Sequence, residues 1–153
     1  MQDQSDQAFK DQCALVAKCC LSANLRRTTR AITQFYAKIM EPSGLEPTQF
    51  TLLVACVVVG PAPITVLADA LVMDRTTLTR NVKLLAKWGL VQIEEGDDHR
   101  VRVVELSKRG RTAIEKALPL WEDAQARLLE GLGKERSDNL LKDLYAAVKF
   151  ARL

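Results

Sequence analysis

Arg75, Thr76, Thr77, Thr79, Arg80, Asn81 and Lys83 crowd into nine consecutive residues, and these are side chains that read a DNA duplex. Arginine bonds bidentately to a guanine edge, asparagine to adenine, and threonine to either or to the thymine methyl. Lysine and arginine also bond phosphate oxygens. Leu78, Val82 and Leu85 are interleaved at helical spacing, which turns one side of the segment to a core and leaves the polar set outward. From Asp74 to Trp88 there are four basic residues against one acidic. An ordinary solvated amphipathic helix can look the same. The difference lies in the next segment, whose alternating pattern carries Arg100 and Arg102. Thr65, at the start of the preceding helical segment, joins the candidate set.

Few other residues offer chemistry. The lone His99 sits in a turn, and there is no Gly-rich phosphate loop and no Ser/His/Asp set, so no enzyme is expected. The four cysteines contain no Cys-x-x-Cys pair, which with one histidine argues against a metal site; no cofactor is expected. Cys13 and Cys20 fall on one side of a helix, but ~10 Å apart along its axis. A disulfide needs Cα atoms within about 7 Å, so any bridge would require Cys56 or a second subunit.

The elements that must hold the reading segment are set by local patterns. Residues 8–41 read as one long helix, with Leu25, Ile32 and Ile39 recurring every seven residues and Pro42-Ser43-Gly44 ending it. So long a helix has more apolar surface than one small domain covers, and a partner helix from a second subunit is expected. A helix over 47–58 opens on Pro47, and Gly60-Pro61-Ala62-Pro63 breaks the chain. A short helix over 65–71 is expected with Thr65 as its cap. Val72-Met73 makes a tight connection to a helix capped by Asp74 and ended by Gly89. Residues 90–94 and 100–106 alternate as two strands about the turn-rich stretch 95–99. Ser107 caps a helix over 108–131, which Pro119 should kink or divide. A last helix covers 134–151. The predicted fold is mainly α with a small β-hairpin wing: a winged helix-turn-helix plus a helical dimerisation region.

Size and composition permit this. The 153 residues suit one domain, and 48% hydrophobic residues supply a core. A net charge of +3 says little about partners, so the argument rests on where the charge lies. No apolar run approaches the roughly 20 residues of a membrane span. The polar stretch from Met1 to Gln7 is neither a signal peptide nor an Arg-rich transit sequence, so a cytoplasmic location with reduced thiols is expected.

Leu67-Ala68-Asp69-Ala70-Leu71, Met73 to Arg80, Leu84 to Val91, Asp98-His99-Arg100 and Val104 to Gly110 together resemble the MarR family pattern along essentially the whole chain. The resemblance implies a homodimeric regulator of transcription. Residues 8–45 and 112–153 would form the dimerisation helices and 46–111 the winged helix-turn-helix, within a single domain spanning 1–153. Thr76, Thr77, Thr79 and Arg80 match the groove-reading part of the recognition helix, with Arg75 and Lys83 contacting DNA at its ends. Asp98 matches the wing aspartate that orients basic side chains, and Arg100 the wing arginine that approaches the minor groove. His99 stands where the family has a further arginine. The implied partner is a roughly palindromic duplex with half-sites about one turn apart.

Members of the family respond to small aromatic or phenolic ligands, or to oxidants. Arg26, Arg30, Tyr36 and Phe50 could line the ligand cleft that the resemblance implies. Cys13, Cys19 and Cys20 are the redox candidates. Matching Thr28 to Tyr36 to the organic-peroxide-sensing branch puts its reactive cysteine at Ser22, where this chain has none. A repressor relieved by a small aromatic ligand is the leading reading. A cysteine-based oxidant sensor and a winged-helix protein-interaction module without DNA binding are the alternatives.

Overall fold

The computed structural model describes the backbone of residues 2–96 and 101–152, and the side chains within those ranges from Ser5 onward. The chain divides into two units, residues 1–38 and 39–153. The first unit holds α1 (Gln2–Cys19) and most of α2 (Leu21–Met40). The single helix expected over 8–41 thus begins earlier and is interrupted at Cys20. Helical bonding continues through the break: the Cys20 N–H donates to the Val16 carbonyl and the Asn24 N–H to the Cys20 carbonyl, both at 3.0 Å. The Asn24 side-chain amide also donates to the Cys20 carbonyl at 3.0 Å and to the Lys18 carbonyl at 3.4 Å. A side chain bonded to backbone carbonyls in this way competes with regular helix geometry.

In the second unit a short 3-10 turn, Glu41–Ser43, leads to α3 (Pro47–Val59). The capping box there is reciprocal, and the Glu46 N–H donates to Gln49 Oε1 at 2.9 Å. α3 buries Phe50, Leu52, Leu53 and Cys56, and Phe50 stacks on Trp121 with ring centroids 6.4 Å apart.

The segment read as a break contains a strand. β1 (Ala62–Pro63) pairs antiparallel with β3 (Arg102–Leu106), Ala62 opposite Val104. β3 pairs in turn with β2 (Val91–Glu95), giving a three-stranded sheet in the order β1-β3-β2. Pro63 is tolerated because β1 is an edge strand, whose outer side needs no donor. α4 (Ile64–Ala70) comes next without a gap, so its cap is Pro63 rather than Thr65, and Thr65 lies inside the helix.

Val72, in the turn after α4, takes a φ of +52°. The left-handed region costs a side-chain-bearing residue about 1–2 kcal/mol. The turn is held by the Met73 N–H donating to the Ala68 carbonyl at 2.8 Å. α5 (Arg75–Lys87) comes next, and Gly89 at φ +71° turns the chain into β2.

α6 (Lys108–Leu132) runs on through Pro119, so of the two expected effects, a kink or a division, the helix is not divided. Pro119 and Glu115, whose carbonyl loses its helical donor, are both exposed, so water can satisfy that carbonyl. α7 (Lys134–Ala151) completes the chain. Leu53, Leu67, Leu78, Val82, Leu85 and Val104 are fully buried, so the core lies under α3, α4, α5 and β3. Among the described residues no single helix is long and apolar enough to cross a membrane.

Candidate nucleic-acid interface

α5 owes its start to Asp74, whose carboxylate accepts the Thr77 N–H at 3.0 Å. That bond outweighs an opposing desolvation and, with smaller help from the Thr76 N–H and both threonine hydroxyls, holds the Asp74 carboxyl below the usual carboxylate range. Because the folded-state value is lowered, the stabilisation is complete above the unfolded-state value and is lost as pH falls through the folded one. Asp74→Ala is therefore expected to lower the thermal midpoint by a few degrees near neutral pH. The gap to the parent should close in acid. Thermal unfolding followed by circular dichroism at both pH values checks this, and an equal gap in acid would contradict it.

Leu78, Val82 and Leu85 fasten one side of α5 to the core. Arg75, Thr76, Thr77, Arg80 and Lys83 are consequently exposed, with Thr79 and Asn81 half-buried. The Thr79 hydroxyl donates to the Arg75 carbonyl at 2.7 Å, which leaves its oxygen lone pair and methyl to face outward. Arg75, Thr76, Thr79, Arg80 and Lys83 line a shallow concavity of about 570 Å³. A neighbouring groove of about 400 Å³ is walled on one side by Thr65, Arg75, Thr79 and Lys83, and on the other by Ile93, Val101 and Arg102 of the hairpin. The structure thus gathers Thr65, Arg75, Thr79, Lys83 and Arg102 about one groove, with Thr76 and Arg80 beside it. Thr77 sits at the exposed N-terminal turn. Asp98, His99 and Arg100 lie outside the described residues.

Arg102 donates to Glu95 Oε1 at 2.8 Å, and the two residues are register partners across the hairpin. Both side chains are 52% exposed. An exposed pair of this kind is worth about 1 kcal/mol or less, so a phosphate can compete for the guanidinium.

The base of the hairpin is joined to α5 and α6 by residues that sequence patterns alone do not assign to the site. The Ser107 N–H donates to the Leu90 carbonyl at 3.1 Å, its hydroxyl donates to the Gly89 carbonyl at 2.6 Å, and its oxygen accepts the Gly110 N–H at 2.9 Å. Gly110 packs so closely that a Cβ there would lie 2.0 Å from the Leu90 carbonyl oxygen. Ser107 is legible in the sequence as a helix cap; its grip on Gly89 is not.

The candidates for sensing are divided between the two units. Arg26 and Arg30 are exposed, and Arg26 donates to Ser22 Oγ at 3.1 Å. Tyr36 is half-buried with an edge-on contact to Phe35, and burial pushes its hydroxyl pKa up. Phe50 belongs to the second unit and serves its core. Cys13 and Cys19 are exposed and Cys20 is half-buried. Cys56 is buried, and desolvation pushes its thiol up to about 11, so it stays protonated and inert near neutral pH. Among the described residues no cluster of His, Cys, Asp or Glu could hold a metal ion.

Known proteins share this architecture. A model of the MarR family matches residues 43–100. The M. tuberculosis transcriptional regulator MosR, solved in complex with DNA, is 35% identical over 88% of this chain and 99% of its own, with a TM-score of 0.77. The transcriptional repressor CouR, bound to a 23-mer DNA duplex, is 25% identical over 84% of this chain and 92% of its own, with a TM-score of 0.77. Bacillus subtilis (strain 168) YhbI, described as an uncharacterized HTH-type transcriptional regulator, is 28% identical over 129 residues, 81% of this chain and 84% of that protein.

Proposed function

Because this chain belongs to the MarR family of DNA-binding transcriptional regulators, we propose that it works as a homodimeric repressor on a pseudo-palindromic duplex, relieved by a small aromatic ligand. The observation that carries the DNA contacts is the groove in which α5 and the hairpin face each other, with Arg75, Lys83 and Arg102 on its walls. An α-helix fits the major groove with its outward side chains on base edges, and a hairpin beside it reaches the flanking backbone. Thr65, Thr76, Thr77, Thr79 and Arg80 complete the proposed surface, together with Asp98 and Arg100.

Exposed apolar side chains support the dimer. Phe9, Leu15, Val16 and Leu21 are 60–78% exposed in the first unit, and on α7 Tyr145 and Phe150 are 75% and 80% exposed. Apolar surface on this scale stays in water only at a cost, and a second copy of the same helices would cover it. Residues 8–45 and 112–153 are thus the proposed dimerisation helices and 46–111 the reading module of one domain, acting in the cytoplasm. Arg26, Arg30, Tyr36 and Phe50 are the proposed ligand-responsive residues. The exposure of Cys13 and Cys19 favours a second reading, in which thiol oxidation is the signal.

Titrating a labelled duplex from the region flanking the gene into the protein, across a salt series, tests the proposal. Six or more phosphate contacts predict an affinity loss of about a thousandfold or more between about 50 and 200 mM salt. Binding that is absent even at low salt, with salt-insensitive capture of a protein instead, would replace the proposal with an interaction module. A loss of DNA binding on mild peroxide treatment, abolished by Cys13→Ser and Cys19→Ser, would select the redox reading over the aromatic ligand.

A further inference from the structure

The geometry points to Ser107 as the positioning residue that sets the wing against the recognition helix, an inference that rests on the DNA-binding reading above. Gly89 and Leu90 are the last two of the three residues that lead from the end of α5 into β2, and Ser107 is the one residue between β3 and α6. Ser107 bonds both: its hydroxyl donates to the Gly89 carbonyl at 2.6 Å and its N–H donates to the Leu90 carbonyl at 3.1 Å. The same oxygen accepts the Gly110 N–H at 2.9 Å, which fixes it to the first turn of α6. One residue therefore joins the end of α5, the foot of the hairpin and the start of α6, and its side chain makes the bonds to Gly89 and Gly110. Val91 and Leu106, the lowest register pair of the hairpin, lie immediately beyond this junction.

The hairpin is a lever with its fulcrum there. From Val91 to Glu95, which pairs with Arg102, the strand rises ~13 Å. A tilt of ~10° at the foot moves that level by ~2 Å. Hydrogen bonds to phosphate tolerate only about 0.5 Å. A loosened junction thus separates Arg102 from a backbone phosphate while α5, held by Leu78, Val82 and Leu85, stays in place. The wing's share of binding should vanish and the base-reading share should persist.

Salt dependence and sequence discrimination separate these shares. The full-length protein, Ser107→Ala, Ser107→Gly and Ser107→Thr are each titrated with a labelled duplex of about 30 base pairs from the gene's flanking region, and with a scrambled copy. Glycine is nearly as good a cap as serine but lacks the hydroxyl, so it preserves the helix start while removing both side-chain bonds. Ser107→Ala and Ser107→Gly are expected to bind about tenfold more weakly near 0.1 M salt, with the log–log salt slope reduced by about 1–2, one wing phosphate or two. The ratio of affinities for the two duplexes should stay within about twofold of the parent's, and Ser107→Thr should restore the slope. A hydroxyl that only supported folding would lower the thermal midpoint without moving the slope. A parental slope in folded Ser107→Gly, or an unrestored slope in folded Ser107→Thr, overturns the inference alone. Failure of the unmodified protein to bind either duplex at low salt overturns the DNA reading and this inference together.

Discussion

Gly110→Ala is expected to destabilise the protein by at least about 3 kcal/mol, the upper range of overpacking penalties. The reason is local and steric. A Cβ at position 110 would lie 2.0 Å from the Leu90 carbonyl oxygen, 3.0 Å from its carbon and 2.8 Å from Leu106 Cδ1. The leucine side chain could yield, but the carbonyl could not. Its oxygen accepts the Ser107 N–H, and Leu90 itself is anchored by its N–H donating to the Leu85 carbonyl at 2.9 Å. Relief therefore requires α6 to move away from the foot of the hairpin, which breaks the Ser107 bonds as well. For a chain of this size the penalty corresponds to a midpoint about 6–12 °C lower. Thermal unfolding followed by circular dichroism reads it directly. A midpoint within about 2 °C of the parent's would mean that the close approach of Gly110 to Leu90 is wrong.

Arg80→Ala carries the second large effect, on DNA rather than on folding. Arg80 is exposed on α5, and among the described residues it has no ion-pair partner to lose. Stability should be unchanged. A bidentate contact to a base edge is worth about 1–3 kcal/mol, so affinity for the native site should fall by roughly 5- to 150-fold. Discrimination at the contacted base pair should relax. Lys83→Ala offers the contrast: as a phosphate contact, its loss should weaken all duplexes alike and lower the salt slope by about 1. Fluorescence anisotropy with a native and a base-substituted duplex distinguishes the two. If Arg80→Ala weakens both duplexes equally, Arg80 is a phosphate contact, and base reading passes to Thr76 and Thr79, which line the same concavity.

Much of the reading surface is legible in the sequence because its code is local. The 3.6-residue spacing of Leu78, Val82 and Leu85, the Asp74 cap and the Gly89 stop act within a few residues, and together they dictate which face of α5 looks outward. Alternation in the two strands and the Ser107 cap are local in the same sense. The order of elements, with the MarR resemblance, is therefore enough to identify a winged helix-turn-helix and to propose Arg75 through Lys83 for its contacts.

What the tertiary structure decided involves residues distant in the chain. β1 is two residues long and has no strand pattern of its own; it exists because Ala62 and Pro63 meet Val104 and Val103 of β3. At the break at Cys20 the Asn24 amide bonds the Lys18 and Cys20 carbonyls, and helical periodicity carries no trace of that choice. Pro119 stays within a continuous α6, on a stretch where both it and Glu115 are exposed residues. The angle between wing and recognition helix depends on Ser107 meeting Gly89 and on Gly110 meeting Leu90, each about 20 positions apart along the chain. Periodicity and capping are short-range interactions and can be read from neighbours in sequence. A contact between carbonyl and glycine across that separation exists only once the core has closed, and it sets Arg102 of the hairpin across a groove from Arg75 of the helix.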